Sequence, residues 1–223
     1  MTVGIILVAA GQGTRLRATQ PKAFVRVAGT SLIEHAVTRA FGAAETTQIV
    51  IVAPASHLRE AGALVSAHPR AADITVVAGG AERTHSVSAG LAALRDDVDI
   101  VLVHDAARCL APAELFDRLV AAVRGGHDAV VPGLPVTDTI KQVDADGRVV
   151  ATPERGSLRA IQTPQAFRRA VLTQAHASGL EATDDAALVE GLGVAVTVVD
   201  GDDLAFKVTT QTDLERASRI LGS

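Results

Sequence analysis

The run from Val3 to Ala10 carries no charge, the pattern of a strand buried on both faces of a parallel sheet. Similar runs recur at Gln48 to Ala53, Ile74 to Ala78, Ile100 to Val103, Ala129 to Leu134 and Val194 to Val199. Helical patterns lie between them. Ser31-Leu32-Ile33-Glu34 has capping-box spacing and opens a helix reaching about Ala44. Pro54 to His68 and Arg83 to Leu94 read as helices, and Pro112 sits in the first turn of another that ends near Arg124. Strand and helix alternating with short connections predict an α/β fold: a doubly wound, mainly parallel, Rossmann-like sheet.

The alternation breaks once. From Val136 to Thr152 there is no helical period, and Asp144-Ala145-Asp146-Gly147 separates two β-prone runs. Asp-Gly between such runs signals a hairpin. A lone hairpin is marginal in water, so residues 136–152 are expected to pack as an arm on a second subunit. The alternative is a solvated excursion, since long insertions are tolerated at small cost. Afterwards Leu158 to Thr163 reads as a short strand, and Pro164 and Thr183-Asp184-Asp185 as two helix starts. Phe206-Lys207-Val208 reads as a last strand, and Thr212-Asp213-Leu214-Glu215 as the box of a final helix. Residues 1–223 are expected to form a single domain, with residues 136–152 as an arm within it.

Polar clusters follow three of the strands. After the first come Gly11 and Gly13, which let the backbone approach a ligand, with Arg15 and Lys22 close behind. Exposed amides in such a loop form an anion-binding concavity. The dinucleotide fingerprint would need a third glycine at position 16, which is Leu, and no P-loop spacing occurs. Gly79 to Ser86 follows the third strand and His104 to Arg108 the fourth. In open α/β sheets these loops converge on one crevice. Asp105 is the sharpest residue there, a carboxylate flanked by small alanines and suited to a hard cation shared with phosphate oxygens. Helix capping explains it less well, because Pro112 starts the next helix seven residues later. His104 reads equally as a buried, hydrogen-bonded histidine, and Cys109 as a structural thiol.

Composition narrows the ligand. Net charge is −4 and there are five Phe with no Trp or Tyr, which argues against nucleic acid and anionic membranes. A polyanion site must therefore be local, made by a few placed cations. One cysteine, no basic leader and no long apolar run lead us to expect a soluble, cytoplasmic protein.

The motifs form an ordered set. Ala9-Ala10-Gly11-x-Gly13-x-Arg15 with Pro21-Lys22 precedes Gly79-Gly80-x-x-Arg83-x-x-Ser86-Val87 and His104-Asp105-Ala106-Ala107-Arg108. Pro135-Val136-x-Asp138-Thr139-Ile140-Lys141, Gln162-Thr163-Pro164-Gln165-x-Phe167, Thr183-Asp184-Asp185-Ala186 and Lys207-Val208-Thr209 follow. The set resembles the 2-C-methyl-D-erythritol 4-phosphate cytidylyltransferases of the non-mevalonate isoprenoid pathway, nucleotidyltransferases that use CTP. That resemblance implies that Arg15, Lys22 and the Gly11 and Gly13 amides hold the triphosphate. Gly80 and Ser86, with backbone near Ala10, would read cytosine, and Asp105 would bind Mg²⁺. Ala106, Arg108 and Lys207 would line the polyol phosphate pocket. Thr139 and Arg155 would reach across from the partner of a homodimer. Ala81, Ala205, Arg159 and Cys109 depart from the family pattern, which touches ribose contacts and packing at the base of the arm.

The implied reaction is in-line attack of an already anionic phosphate oxygen on the α-phosphorus, which needs no general base. Catalysis becomes positioning and charge stabilisation, with Arg15, Lys22 and Lys207 supplying the charge. Ribitol 5-phosphate as acceptor is the nearest alternative, because a few hydroxyl contacts separate two small polyol phosphates. A non-catalytic nucleotide-binding regulator is the more distant one.

Overall fold

A computed structural model describes residues 1–11, 16, 20–180 and 182–222. Strand β1 (Thr2–Val8) leads past a one-turn 3-10 helix, Lys22–Phe24, to the small ribbon β2 (Arg26–Val27) and β3 (Thr30–Ser31). Then come α1 (Leu32–Gly42), β4 (Thr46–Ala53), α2 (Leu58–Ser66), β5 (Ile74–Ala78), α3 (Arg83–Ala92) and β6 (Val98–Asp105). The chain continues through α4 (Ala113–Arg124), β7 (Ala129–Pro135), β8 (Gln142–Val143), β9 (Val149–Ala151), β10 (Arg159–Ile161) and β11 (Gln165–Arg168). It ends with α5 (Arg169–Ala177), α6 (Asp185–Glu190), β12 (Val196–Asp200) and α7 (Gln211–Leu221).

An eight-stranded sheet has the order β10-β7-β11-β6-β1-β4-β5, with β12 on the other edge of β7. Strands β6, β1, β4 and β5 run parallel, as do β7 and β12, while β10 and β11 are antiparallel. Successive side chains of β1 explain its unbroken apolar run. Ile5 and Leu7 pack with α1, α2, α4 and α7 on one face, and Ile6 packs with α3, α5 and α6 on the other. The sheet grows from β1 first through β4 and β5, then on the opposite side through β6. That reversal opens a crevice at the carboxyl ends of β1 and β6.

Three sequence expectations change. Pro164 does not start a helix; Gln165–Arg168 is strand β11, and α5 begins at Arg169. Ala166 and Phe167 are wholly buried in the slot between β6 and β7, and that pairing overrides the local helical signal. Phe206 to Val208 pairs with no strand, although the Val208 amide donates to the Ala107 carbonyl at 2.9 Å. The last capping box belongs to Thr210, whose hydroxyl accepts from the Asp213 amide, so Thr212 lies inside the first turn of α7.

Strands β8 and β9 pair antiparallel around Asp144, whose Oδ1 accepts from the amides of Asp146 and Arg148 at 3.0 and 2.8 Å. Gly147, with φ of 78°, takes the left-handed position of the turn. Ile140, Val143, Val149 and Val150 are exposed on this hairpin. Among the described residues no helix is long and apolar enough to cross a membrane.

Candidate active site at the carboxyl edge of the sheet

A cavity of about 200 Å³ opens where the sheet order reverses. Ala10 and Gly11 line it from the end of β1, with Lys22 beside them. Gly80, Ala81 and Ser86 come from the start of α3, Asp105 and Ala106 from the end of β6, and Lys207 from the crossing before α7. These nine residues, each named from the sequence, thus share one cavity although they span most of the chain. Gly13 and Arg15 lie outside the described residues.

Small residues shape the floor. A Cβ on Gly79 would stand 2.6 Å from the Ala10 Cβ, and one on Gly80 2.4 Å from the His85 Cβ. Only glycine lets this turn come so close to β1. The Gly80 amide donates to Ser86 Oγ at 3.2 Å, and Ser86 Oγ donates to the Glu82 carbonyl at 3.1 Å. The single hydroxyl proton of Ser86 is therefore committed, and its remaining lone pair can accept.

Asp105 is 9% exposed and forms the charged centre. Lys207 Nζ lies 2.6 Å from its Oδ2, and Arg83 Nε lies 3.9 Å from its Oδ1. Burial opposes the charge of Asp105, but Lys207 and then Arg83 outweigh it and hold the carboxyl at about 2. Its amide donates to Thr163 Oγ1 at 3.0 Å, which ties the end of β6 to the bend between β10 and β11. Among the described residues no three His, Cys, Asp or Glu are grouped to cage a metal. One ionised carboxylate fits a hard cation that takes its other ligands from substrate phosphates and water.

The neighbours of these residues position them. Arg108 turns away from the cavity wall: its Nη1 donates to the Ala205 carbonyl at 2.7 Å and its Nη2 to the Ile161 carbonyl at 3.4 Å. It thereby pins the crossing that carries Lys207. Ala205 is wholly buried, and Arg159 Nη1 donates to the Gly156 and Leu158 carbonyls. Ala81 lines the cavity, while Cys109 is buried and its thiol pushed up to about 12 by desolvation. Thr139 stands on the exposed arm and Arg155 in the exposed turn at its base, with Arg155 Nη1 donating to the Thr137 carbonyl at 2.8 Å. They do not line the cavity of their own chain.

The Gln162-Thr163-Pro164-Gln165 segment is a set of clamps. The Gln162 amide accepts from the Asp202 amide at 2.9 Å and donates to its carbonyl at 2.8 Å. Gln165 Nε2 donates to Asp184 at 2.8 Å, and Gln165 Oε1 accepts from the Ala186 amide. Sequence reading left Arg83, Thr163 and Asp185 out of the site. Each lies inside a recognised motif, but only the fold brings Asp185 beside Arg83, at 2.7 Å from Oδ2 to Nη1.

His104 is fully buried, with Nδ1 3.1 Å from Thr163 Oγ1 and its ring edge-on to Phe116. Desolvation lowers its pKa to about 4. An unfolded imidazole takes up a proton below about 6.5, and the folded one only below about 4. The stability His104 contributes is therefore complete above the first value and lost towards the second, on the order of 3 kcal/mol. Urea midpoints should fall between those pH values, and less steeply in His104→Asn. Equal slopes in both proteins would assign the acid sensitivity to other groups.

Known proteins resemble this chain along nearly its whole length. Residues 3–223 match the family model of IspD, 2-C-methyl-D-erythritol 4-phosphate cytidylyltransferase. The chain is 49% identical over 220 residues to the 2-C-methyl-D-erythritol 4-phosphate cytidylyltransferase of Nocardia farcinica, covering 99% of this chain and 94% of that protein. It is 51% identical over 222 residues to a bifunctional IspD/IspF enzyme of Clavibacter michiganensis; there it spans 98% of its own length and 54% of the relative's. Among solved structures, 4-diphosphocytidyl-2C-methyl-D-erythritol synthase of Anaerococcus prevotii superposes with a TM-score of 0.87 at 30% identity, covering 100% of this chain and 96% of that one. The Thermus thermophilus 2-C-methyl-D-erythritol 4-phosphate cytidylyltransferase gives 0.80 at 32% identity, covering 100% of both chains. With a matching family model across nearly its whole length, the chain belongs to the 2-C-methyl-D-erythritol 4-phosphate cytidylyltransferase family.

Proposed function

We propose that this cytidylyltransferase transfers CMP from CTP to 2-C-methyl-D-erythritol 4-phosphate. An oxygen of the acceptor phosphate forms the new bond to the α-phosphorus. The bond from that phosphorus to the β-phosphate bridge breaks, and pyrophosphate leaves with the electron pair. The observation that carries this reading is one cavity with a small polar turn at one end and Asp105 with Lys207 at the other.

At the base end, Gly79 and Gly80 leave room for a pyrimidine ring, and Ser86 Oγ offers a lone pair suited to an amino donor. At the phosphate end, Lys22 and the Gly11 amide, with Arg15 and Gly13 by family resemblance, hold the triphosphate. Lys207 neutralises the acceptor phosphate, with which the α-phosphate would otherwise repel. Asp105 is the residue that would hold Mg²⁺, which when bound withdraws charge from the phosphate oxygens.

The working unit is a homodimer in the reducing cytoplasm. The exposed Ile140, Val143, Val149 and Val150 support pairing through the arm, since a two-stranded ribbon with apolar flanks gains burial from a second copy. Pairing would bring Thr139 and Arg155 to the neighbour's crevice.

Pyrophosphate release tests the reading. CTP should be used at least tenfold more efficiently than UTP, ATP or GTP, a ratio within reach of hydrogen-bond readout by buried polar groups. With CTP fixed, 2-C-methyl-D-erythritol 4-phosphate should outpace ribitol 5-phosphate. Comparable kcat/KM for a purine triphosphate would overturn the nucleotide assignment, and a faster reaction with ribitol 5-phosphate the acceptor assignment.

A further inference from the structure

Behind the cavity, a polar ring joins three helices. Arg83 opens α3 and places its guanidinium between two carboxylates, Asp185 Oδ2 at 2.7 Å and Asp105 Oδ1 at 3.9 Å. Asp185 is 0% exposed, whereas the Arg83 side chain, at 29%, reaches into the cavity. The other oxygen of Asp185 lies 2.9 Å from His176 Nε2 of α5. His176 Nδ1 is 3.2 Å from Ser88 Oγ, which returns the ring to α3.

We propose that Asp185 is a positioning residue for the substrate site: it holds the Arg83 guanidinium off Asp105, which keeps one Asp105 oxygen open to the cation and phosphates of the nucleotide. This rests on the reading of Asp105 given above.

The physical case starts from competition. A guanidinium between two carboxylates is held by the closer charge, and at 2.7 against 3.9 Å that is Asp185, as an ion pair rather than an aligned hydrogen bond, since its Oδ2 accepts none. Oδ2 of Asp105 already carries the Lys207 ammonium at 2.6 Å. Were the Asp185 charge removed, Asp105 would be the carboxylate left within 4 Å of Arg83 among the described residues. Both its oxygens would then be capped by cations.

The anchor is fixed at its own end. Asp184 Oδ1 caps α6 by accepting from the Ala187 amide at 2.9 Å, and Gln165 ties the same turn to β11. Asp185 therefore cannot follow Arg83 into the cavity. A buried ion pair kept only for stability has little advantage over apolar residues of similar volume, so a charge here points to placement.

The test uses the full chain with CTP and Mn²⁺, read by calorimetry and by the Mn²⁺ paramagnetic resonance signal as well as by turnover. Wild type binding CTP with Mn²⁺ is the first arm; its failure would remove the functional reading itself. Asp185→Asn should melt cooperatively yet bind Mn²⁺ and CTP about tenfold more weakly, the size expected when a charged contact shifts. The decisive arm is Arg83→Gln added to Asp185→Asn. If Arg83 has collapsed onto Asp105, removing its charge reopens the oxygen, and the double variant binds Mn²⁺ more tightly than Asp185→Asn alone. Unchanged affinity in Asp185→Asn, or a double variant no better than it, would overturn the proposal. Should Asp185→Asn fail to fold, Asp185→Ser removes the same charge without burying an amide and should weaken Mn²⁺ binding to the same extent; unchanged affinity there would overturn it too.

Discussion

Asp105→Asn is expected to lower turnover roughly 10²–10³-fold, the range seen when a preorganised charge is removed from a reacting centre. The fold should survive. The backbone of Asp105 is held by the hydrogen bond its N–H donates to Thr163 Oγ1, which the substitution leaves intact, and by the pairing of β6 with β1. Loss of the Lys207 ion pair destabilises the variant, but relief from burying a carboxylate offsets part of that. What the amide cannot supply is a full negative charge for a hard cation. Rates measured across a Mg²⁺ titration, beside parallel melting curves, separate the two effects. Near-normal turnover at ordinary Mg²⁺ would mean that Asp105 does not hold the ion.

Mixing a Lys22→Ala protein with an Arg155→Ala protein should restore activity that neither shows alone. Lys22 lines the cavity of its own chain. Arg155 instead sits in an exposed turn at the base of the arm, held to the Thr137 carbonyl. If arms exchange about a two-fold axis, each site combines Lys22 of one subunit with Arg155 of the other. A mixed dimer then contains one site with both defects and one with neither. Activity should rise to about half of wild type per mixed dimer, because closed two-fold pairs share their sites symmetrically. No rise despite demonstrated subunit exchange would mean that Arg155 serves its own subunit, and the exposed apolar positions of the hairpin would need another explanation.

The parallel sheet was legible early because its strands are buried on both faces. Such strands must be apolar at consecutive positions, a pattern that needs no partner to be recognised. The site loops were legible for a related reason. A carboxylate and a lysine at or beyond the ends of buried strands add nothing to an apolar core, so Asp105 and Lys22 stand out against it. Strand β11 was not legible. Pro164 signalled a helix start, and Gln165-Ala166-Phe167-Arg168 is extended because the gap between β6 and β7 accepts a strand there.

Side-chain commitments were decided the same way, by partners distant in sequence. Arg108 was read as a substrate cation, and the fold adds that its Nη1 and Nη2 donate to the carbonyls of Ala205 and Ile161. Asp185 does stand in a helix start, and the packing of α3, α5 and α6 also sets it against Arg83 and His176. Residue type and spacing thus marked the doubly buried strands and the loops that follow them, because solvation and backbone geometry act locally. Which carboxylate meets which cation depended on distances across the sheet and between helices, and no local pattern encodes those.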